Sequence, residues 1–445
     1  VERPVHFAHT AFPNGGNDAI RADLGAGFEG HGILSSLQRA KLKNVATPQP
    51  QPSPYTGGRA LIEALNDAGI THLFVNLGSD HPAIMEGLAY CKKTGLPAPK
   101  VITCPNEMVA LSCAQGFTQI TGRPQAVLIH VDCGTQALAG AIHNVAKCRI
   151  PVLILAGASP ATQEGELKGS RNEFIHWLQD VPDQRGIVRG YMKYDNELRT
   201  ARNIKQMIHR SMQIATSDPK GPVYLMAARE VFEEEISPVA VDGARWQQIA
   251  PGALDEDGLD ALVASLVAAK RPLVVTSYLG RNAAAVGELV RLCERVGIGV
   301  HESCPNYMNF PADHACYVGQ QGNEKVQTPA LGEADLVLVL DCDVPWIPLF
   351  NRPSDAAKVV HIDVDPIKEK TPLWYIPATQ VFRADVATAL RQRLQIGQHL
   401  AQPLTVLRDA GRAGSGVVQL VQVQQVLGLA AGQAALGAAL VVHGD

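Results

Sequence analysis

Hydrophobic and polar positions change period repeatedly along the chain, and from residue 58 onward they alternate between two textures. Residues 60–68 carry apolar side chains at helical spacing as far as Gly69, and 72–77 (HLFVNL) is an apolar run closed by Gly78. These predict a helix followed by a short buried strand. The series continues with strand 101–103 (VIT), a helix opening at Pro105-Asn106 and running through Phe117, and strand 126–131 (AVLIHV). A glycine-bearing turn, a helix over 137–147, strand 151–157 (PVLILAG) and strand 221–227 (GPVYLMA) follow. A second set starts near 255, with helix 256–269, strand 272–277, helix 282–296 and strands 297–302, 334–342 and 358–365. The strands are apolar throughout rather than alternating, so they predict parallel sheets covered by helices on both faces, an α/β fold.

The same pattern divides the chain. Residues 1–57 lack sustained periodicity and include the polyproline-like PQPQPSP at 48–54, which predicts a poorly packed leader. Two α/β domains are expected at 58–230 and 255–396, joined by a linker at 231–254. Beyond 397, Gly, Ala, Gln and Val dominate and Lys is absent, the texture of a remnant or a disordered tail.

Composition narrows the function classes. A formal net charge of −4 over 445 residues offers no basic footprint for nucleic acid. No apolar run approaches the ~18 residues of a membrane span. Nine cysteines without a CxxC pair predict reduced thiols in an intracellular compartment, the cytoplasm or else the mitochondrion.

Three constellations carry candidate chemistry. Gly78-Ser79-Asp80 follows a strand, where a glycine turn lets a ligand approach the backbone and a helix start favours polar or negative groups. Taken alone, it is more often a plain strand-to-helix connection. Cys104-Pro105-Asn106-Glu107 heads a helix. There Glu107 is either a capping carboxylate favoured by the helix dipole or, in an apolar pocket, a functional acid. His130-Val131-Asp132-Cys133-Gly134-Thr135-Gln136 leaves a buried strand and leads to His143-Asn144. Such a turn offers amides and a carboxamide to a heterocycle, or is a tight turn with Thr135 as a helix cap.

The order of these pieces, followed by AQGFTQITGRPQAVL and HNVAKCRIPVLILAG, resembles the pyrimidine-binding domain of thiamine-diphosphate enzymes of the acetolactate-synthase-like group. The resemblance extends through 170–194 and 217–230 and covers roughly 58–396. It implies two doubly wound parallel-sheet domains, pyrimidine-binding and Rossmann-like, with a truncated third. It also implies that Glu107 is the catalytic glutamate, hydrogen-bonding the aminopyrimidine so that a C2 ylid forms and attacks a 2-keto acid. Gly78, Ser79, Asp80, Gly134, Thr135, Gln136, His143 and Asn144 become the expected cofactor-binding residues. Three positions depart from the family pattern: Asn106 replaces the usual His, Asp132-Cys133-Gly134 replaces Gly-Pro-Gly, and Ala137 replaces an Asn.

Residues 255–396 resemble the family's central domain, which binds FAD in true acetolactate synthases and is structural in many relatives. His361-Ile362-Asp363-Val364-Asp365-Pro366 ends a strand without a GxGxxG beside it, so a structural role is favoured over FAD or a nicotinamide nucleotide. His301, His314 and Asp341-Cys342-Asp343 lack metal-ligand spacing. The family holds Mg²⁺ and the diphosphate with a GDG motif and a downstream Asn in its third domain; Gly444-Asp445 matches only the first two residues of that motif. The resemblance therefore implies an incomplete Mg²⁺ site, a dimeric or tetrameric homo-oligomer, a small 2-keto acid substrate and, as the other reading, a non-catalytic partner subunit.

Overall fold

The computed structural model describes residues 54–399, with side chains described as far as 392. The sequence-expected leader up to 53 and the segment from 400, including Gly444 and Asp445, lie outside the described residues. Two six-stranded sheets organise the described chain, and every strand pairing in both is parallel.

The first sheet has the order β2-β1-β3-β4-β6-β5. Its strands are β1 (His72–Asn76), β2 (Lys100–Thr103), β3 (Gln125–Ile129), β4 (Val152–Ala158), β5 (Tyr194–Leu198) and β6 (Val223–Ala228). Although the strands read as continuous apolar runs, alternate residues feed opposite faces. Leu73, Val75, Ala126 and Leu128 enter one core with helices α1 (Gly57–Asp67), α2 (Pro82–Thr94) and α7 (Ile204–Thr216). Phe74, Val127 and Ile129 enter the other, with α3 (Glu107–Thr121) and α5 (Ala139–Lys147). Both faces are thus buried, which is why polar alternation is missing.

The second sheet has the order β12-β11-β10-β7-β8-β9. Its strands are β7 (Pro272–Thr276), β8 (Gly299–Ser303), β9 (Tyr317–Gln321), β10 (Leu336–Leu340), β11 (Lys358–Asp363) and β12 (Gln380–Arg383). Counted in chain order this is 6-5-4-1-2-3, a Rossmann arrangement whose strand order reverses between β7 and β10. Helices α9 (Glu256–Ala268), α10 (Ala283–Val296) and α12 (Val386–His399) accompany it.

Several elements depart from expectation. The anticipated turn at 131–136 is a short helix, α4 (Val131–Ala137), and the single helix over 137–147 is broken at Leu138. Val131 (φ 30°) and Ala139 (φ 43°) bracket α4 in the left-handed region, which side-chain-bearing residues rarely adopt. The half-exposed strand β5 and the edge strands β9 and β12 carry polar residues and gave no apolar run to read. Within the anticipated linker, Val231 and Phe232 are buried and Thr56 bridges to Glu235, so its first residues pack against α1.

Candidate functional site

In the first sheet the strand order reverses between β1 and β3, and ligands of open α/β sheets bind where the carboxyl ends diverge at such a reversal. The three sequence constellations leave β1, β2 and β3, which are neighbours, so topology brings them to one rim.

Glu107 is the first residue of α3. Asn106 caps that helix, its extended backbone letting Oδ1 accept from the Met108 amide at 2.8 Å. The capping task is therefore done by the residue that replaces the family's His, and Glu107 is freed from it. Its side chain is 7% exposed and makes no hydrogen bond or ion pair among the described residues. Across from it lies Gly134 on α4, where an added Cβ would stand 3.1 Å from Glu107 Oε1. A mostly buried carboxyl without a partner in the protein, facing a position kept free of side chain, is suited to a ligand's donor.

The 78–80 turn is wired instead by imidazoles. Gly78 N–H donates to His81 Nδ1 at 3.1 Å, which leaves the proton on His81 Nε2, 3.3 Å from Asp80 Oδ2. Asp80 Oδ1 lies 2.6 Å from His130 Nδ1, and its other oxygen accepts from the Val131 amide at 3.3 Å. Asp80 is 2% exposed, and these contacts satisfy its carboxylate from within the protein. Burial of the His130 ring works against its charge, but the hydrogen bond and charge of Asp80 prevail and its pKa is raised. Burial lowers that of His81, with Asp80 opposing.

Two glycines make room for this pair. A Cβ on Gly157 of β4 would stand 1.3 Å from Asp80 Oδ2, and one on Gly78 would stand 2.0 Å from His130 Nδ1. Around the pair, His130 Nε2 lies 3.1 Å from Gln179 Oε1 and Ser79 Oγ lies 3.4 Å from His176 Nε2. The Asn172 amide donates to His176 Nδ1, so the His176 proton is on Nε2, directed at Ser79. Burial lowers the His176 pKa.

The remaining expected residues are dispersed. Thr135 is buried and bonds Val131 O and the Tyr224 hydroxyl, whose pKa burial pushes up to about 12. Gln136 is exposed and donates to Asp132. His143 and Asn144 are exposed on α5, where His143 meets the Tyr191 ring edge-on. Among the described residues, no side-chain hydrogen bond joins them to Glu107 or to the 78–80 turn. Sequence reading missed His81, His176 and Gln179. The last two arrive from a segment about a hundred residues away, with no local pattern to mark them.

Comparison with known proteins identifies the fold and the family. The fold is shared with a thiamin diphosphate-dependent enzyme from Mycobacterium smegmatis (TM-score 0.63, 22% identity, 77% of this chain and 63% of that one). It is shared also with benzoylformate decarboxylase from Polynucleobacter necessarius (TM-score 0.62, 18% identity, 76% and 61%). The profile of the thiamine pyrophosphate enzyme N-terminal TPP binding domain matches residues 55–187, and that of the central domain matches 259–392. The chain belongs to the thiamine pyrophosphate enzyme family. Its relatives include acetolactate synthase of Bacillus subtilis, 23% identical over 69% of this chain and 51% of that protein. Benzoylformate decarboxylase of Pseudomonas aeruginosa is 24% identical over 78% and 62%. The chain spans about half to three fifths of the length of such relatives. Among the described residues, no helix is long and apolar enough to cross a membrane.

Proposed function

We propose that the chain contributes the pyrimidine-holding part of a thiamine-diphosphate enzyme acting on a 2-keto acid, with Glu107 as its catalytic acid. The observation that carries this reading is the Glu107 carboxyl, buried at a helix start, unpartnered, and opposite Gly134. A carboxylic acid so placed shares its proton with a ring nitrogen far better than one screened by water. When bound, the cofactor supplies the electron sink for cleavage or formation of a carbon–carbon bond. Glu107 holds a proton at the heterocycle, Gly134 admits the ring, and α3 fixes the direction of the carboxyl. The relatives named acetolactate synthase and benzoylformate decarboxylase support a keto-acid substrate.

Mg²⁺ is proposed with the diphosphate, as the family implies, although no cluster of His, Cys, Asp or Glu among the described residues is built to hold a metal. A homo-oligomer is proposed as well. Met108, Val109 and Ile120 of α3 are exposed, as is Val101 of edge strand β2, and such apolar surface suits a second copy. Nine unpaired thiols support a reducing compartment, with the cytoplasm first.

The test is calorimetric titration of the chain with thiamine diphosphate and Mg²⁺, in wild type and Glu107→Gln. Losing a charge-assisted hydrogen bond should weaken binding roughly tenfold or more while leaving the thermal midpoint nearly unchanged. Equal measurable affinity in the two proteins overturns the reading.

A further inference from the structure

In a sheet of the central domain's order, a nucleotide would lie beyond the carboxyl ends of β7 and β10, where the order reverses. That crevice is filled by the protein's own charged side chains. Tyr278, two residues past β7, directs its hydroxyl at both oxygens of Asp363 at 2.6 Å. Lys368 Nζ reaches Asp363 at 2.6 Å, the Tyr278 hydroxyl at 3.0 Å and Asp343 at 3.1 Å. All three of Tyr278, Asp363 and Lys368 are buried.

The outer layer comes from the other domain. Arg149, between α5 and β4, forks onto Asp343 at 2.8 and 2.9 Å, reaches Asp365 at 3.1 Å and lies 4.7 Å over the Tyr278 ring. A second crossing ion pair joins Arg281 to Asp218, which precedes β6, at 3.2 Å. Arg281 also faces Asp341 at 3.4 Å. Burial raises the Asp341 pKa to about 7, against the pull of Arg281.

Backbone strain marks the same place. Of six non-glycine residues with positive φ among the described residues, three are Arg149, Asp341 and Lys368. Such conformations persist only where surrounding contacts hold them. The glycine of the turn after β7 is unavailable too, since a Cβ on Gly280 would stand 2.1 Å from Met308 O. A diphosphate entering here would displace Arg149 and meet Asp341, Asp343, Asp363 and Asp365.

We propose that this crevice is an interdomain lock, with Arg149 of the N-terminal domain seated where a nucleotide would bind, so that the central domain holds its neighbour and excludes FAD. The inference is independent of the proposed chemistry. Arg149 approaches β4 from its amino end, whereas Glu107 and the 78–80 turn lie at the carboxyl ends of that sheet.

The test uses the whole chain. In calorimetry the wild type should unfold both domains in one transition, and titration with FAD or ADP should give no binding at micromolar concentration. Arg149→Met should split or lower that transition, and Arg149→Lys, which keeps the charge, should retain part of it. If Arg149→Met yields no folded protein, Asp343→Asn, which leaves the N-terminal domain unchanged, is read the same way. Micromolar binding of either nucleotide to wild type, two wild-type transitions, or a charge-removing variant melting like wild type overturns the proposal.

Discussion

At the scale of single residues, the candidate site is decided by which polar groups find partners inside the protein and which do not. Asp80 and Glu107 are both buried acids at strand ends, yet Asp80 collects donors from His130 and Val131 whereas Glu107 has none. That difference supports the proposed ligand-facing part of Glu107. Because Asp80 raises the His130 pKa above the imidazole's ordinary 6.5, the pair adds stability that is fully present below that value. It is lost as pH rises through the folded-state value. Asp80→Asn should therefore shift the His130 titration downward in an NMR experiment, and the stability gap to wild type should narrow with rising pH. A titration that does not move would refute the pairing. Gly157→Ala tests the room left for this pair. With its Cβ 1.3 Å from Asp80 Oδ2 it should cost about 1–3 kcal/mol in urea unfolding. An unchanged midpoint would place Asp80 elsewhere.

Among the elements, α3 and α4 carry the proposed site and both start at the rim. The extended backbone of Asn106 and its side-chain bond to Met108 fix where α3 begins, and so where Glu107 points. Asn106→Ala should lower stability by about 1 kcal/mol, measured by thermal or chemical unfolding, as loss of a helix cap does. No loss would show that the cap is idle. Helix α4 was legible only as a glycine-bearing turn, since seven residues cannot display helical periodicity. Its bracketing left-handed residues, Val131 and Ala139, had no glycine or asparagine to announce them. Strands β5, β9 and β12 were silent for the opposite reason: half-exposed, they had no need of apolar runs.

Across the whole molecule, two sheets are joined through ion pairs between the amino ends of one sheet's strands and the carboxyl ends of the other's. This explains how one chain keeps a candidate site at one end of its first sheet and a charged lock at the other. The apolar strand runs, the glycine turns and the helix headed by Glu107 were determined by the sequence alone, because burial on both faces of a parallel sheet and the start of a helix are local demands on side chains. Tertiary structure decided the partners. It turned Asp80 inward, brought His176 and Gln179 across about a hundred residues, left His143 and Asn144 in solvent, and carried Arg149 into the central domain's crevice. Those outcomes depend on strand order, and strand order is set by how whole elements pack, which no short stretch of side chains records.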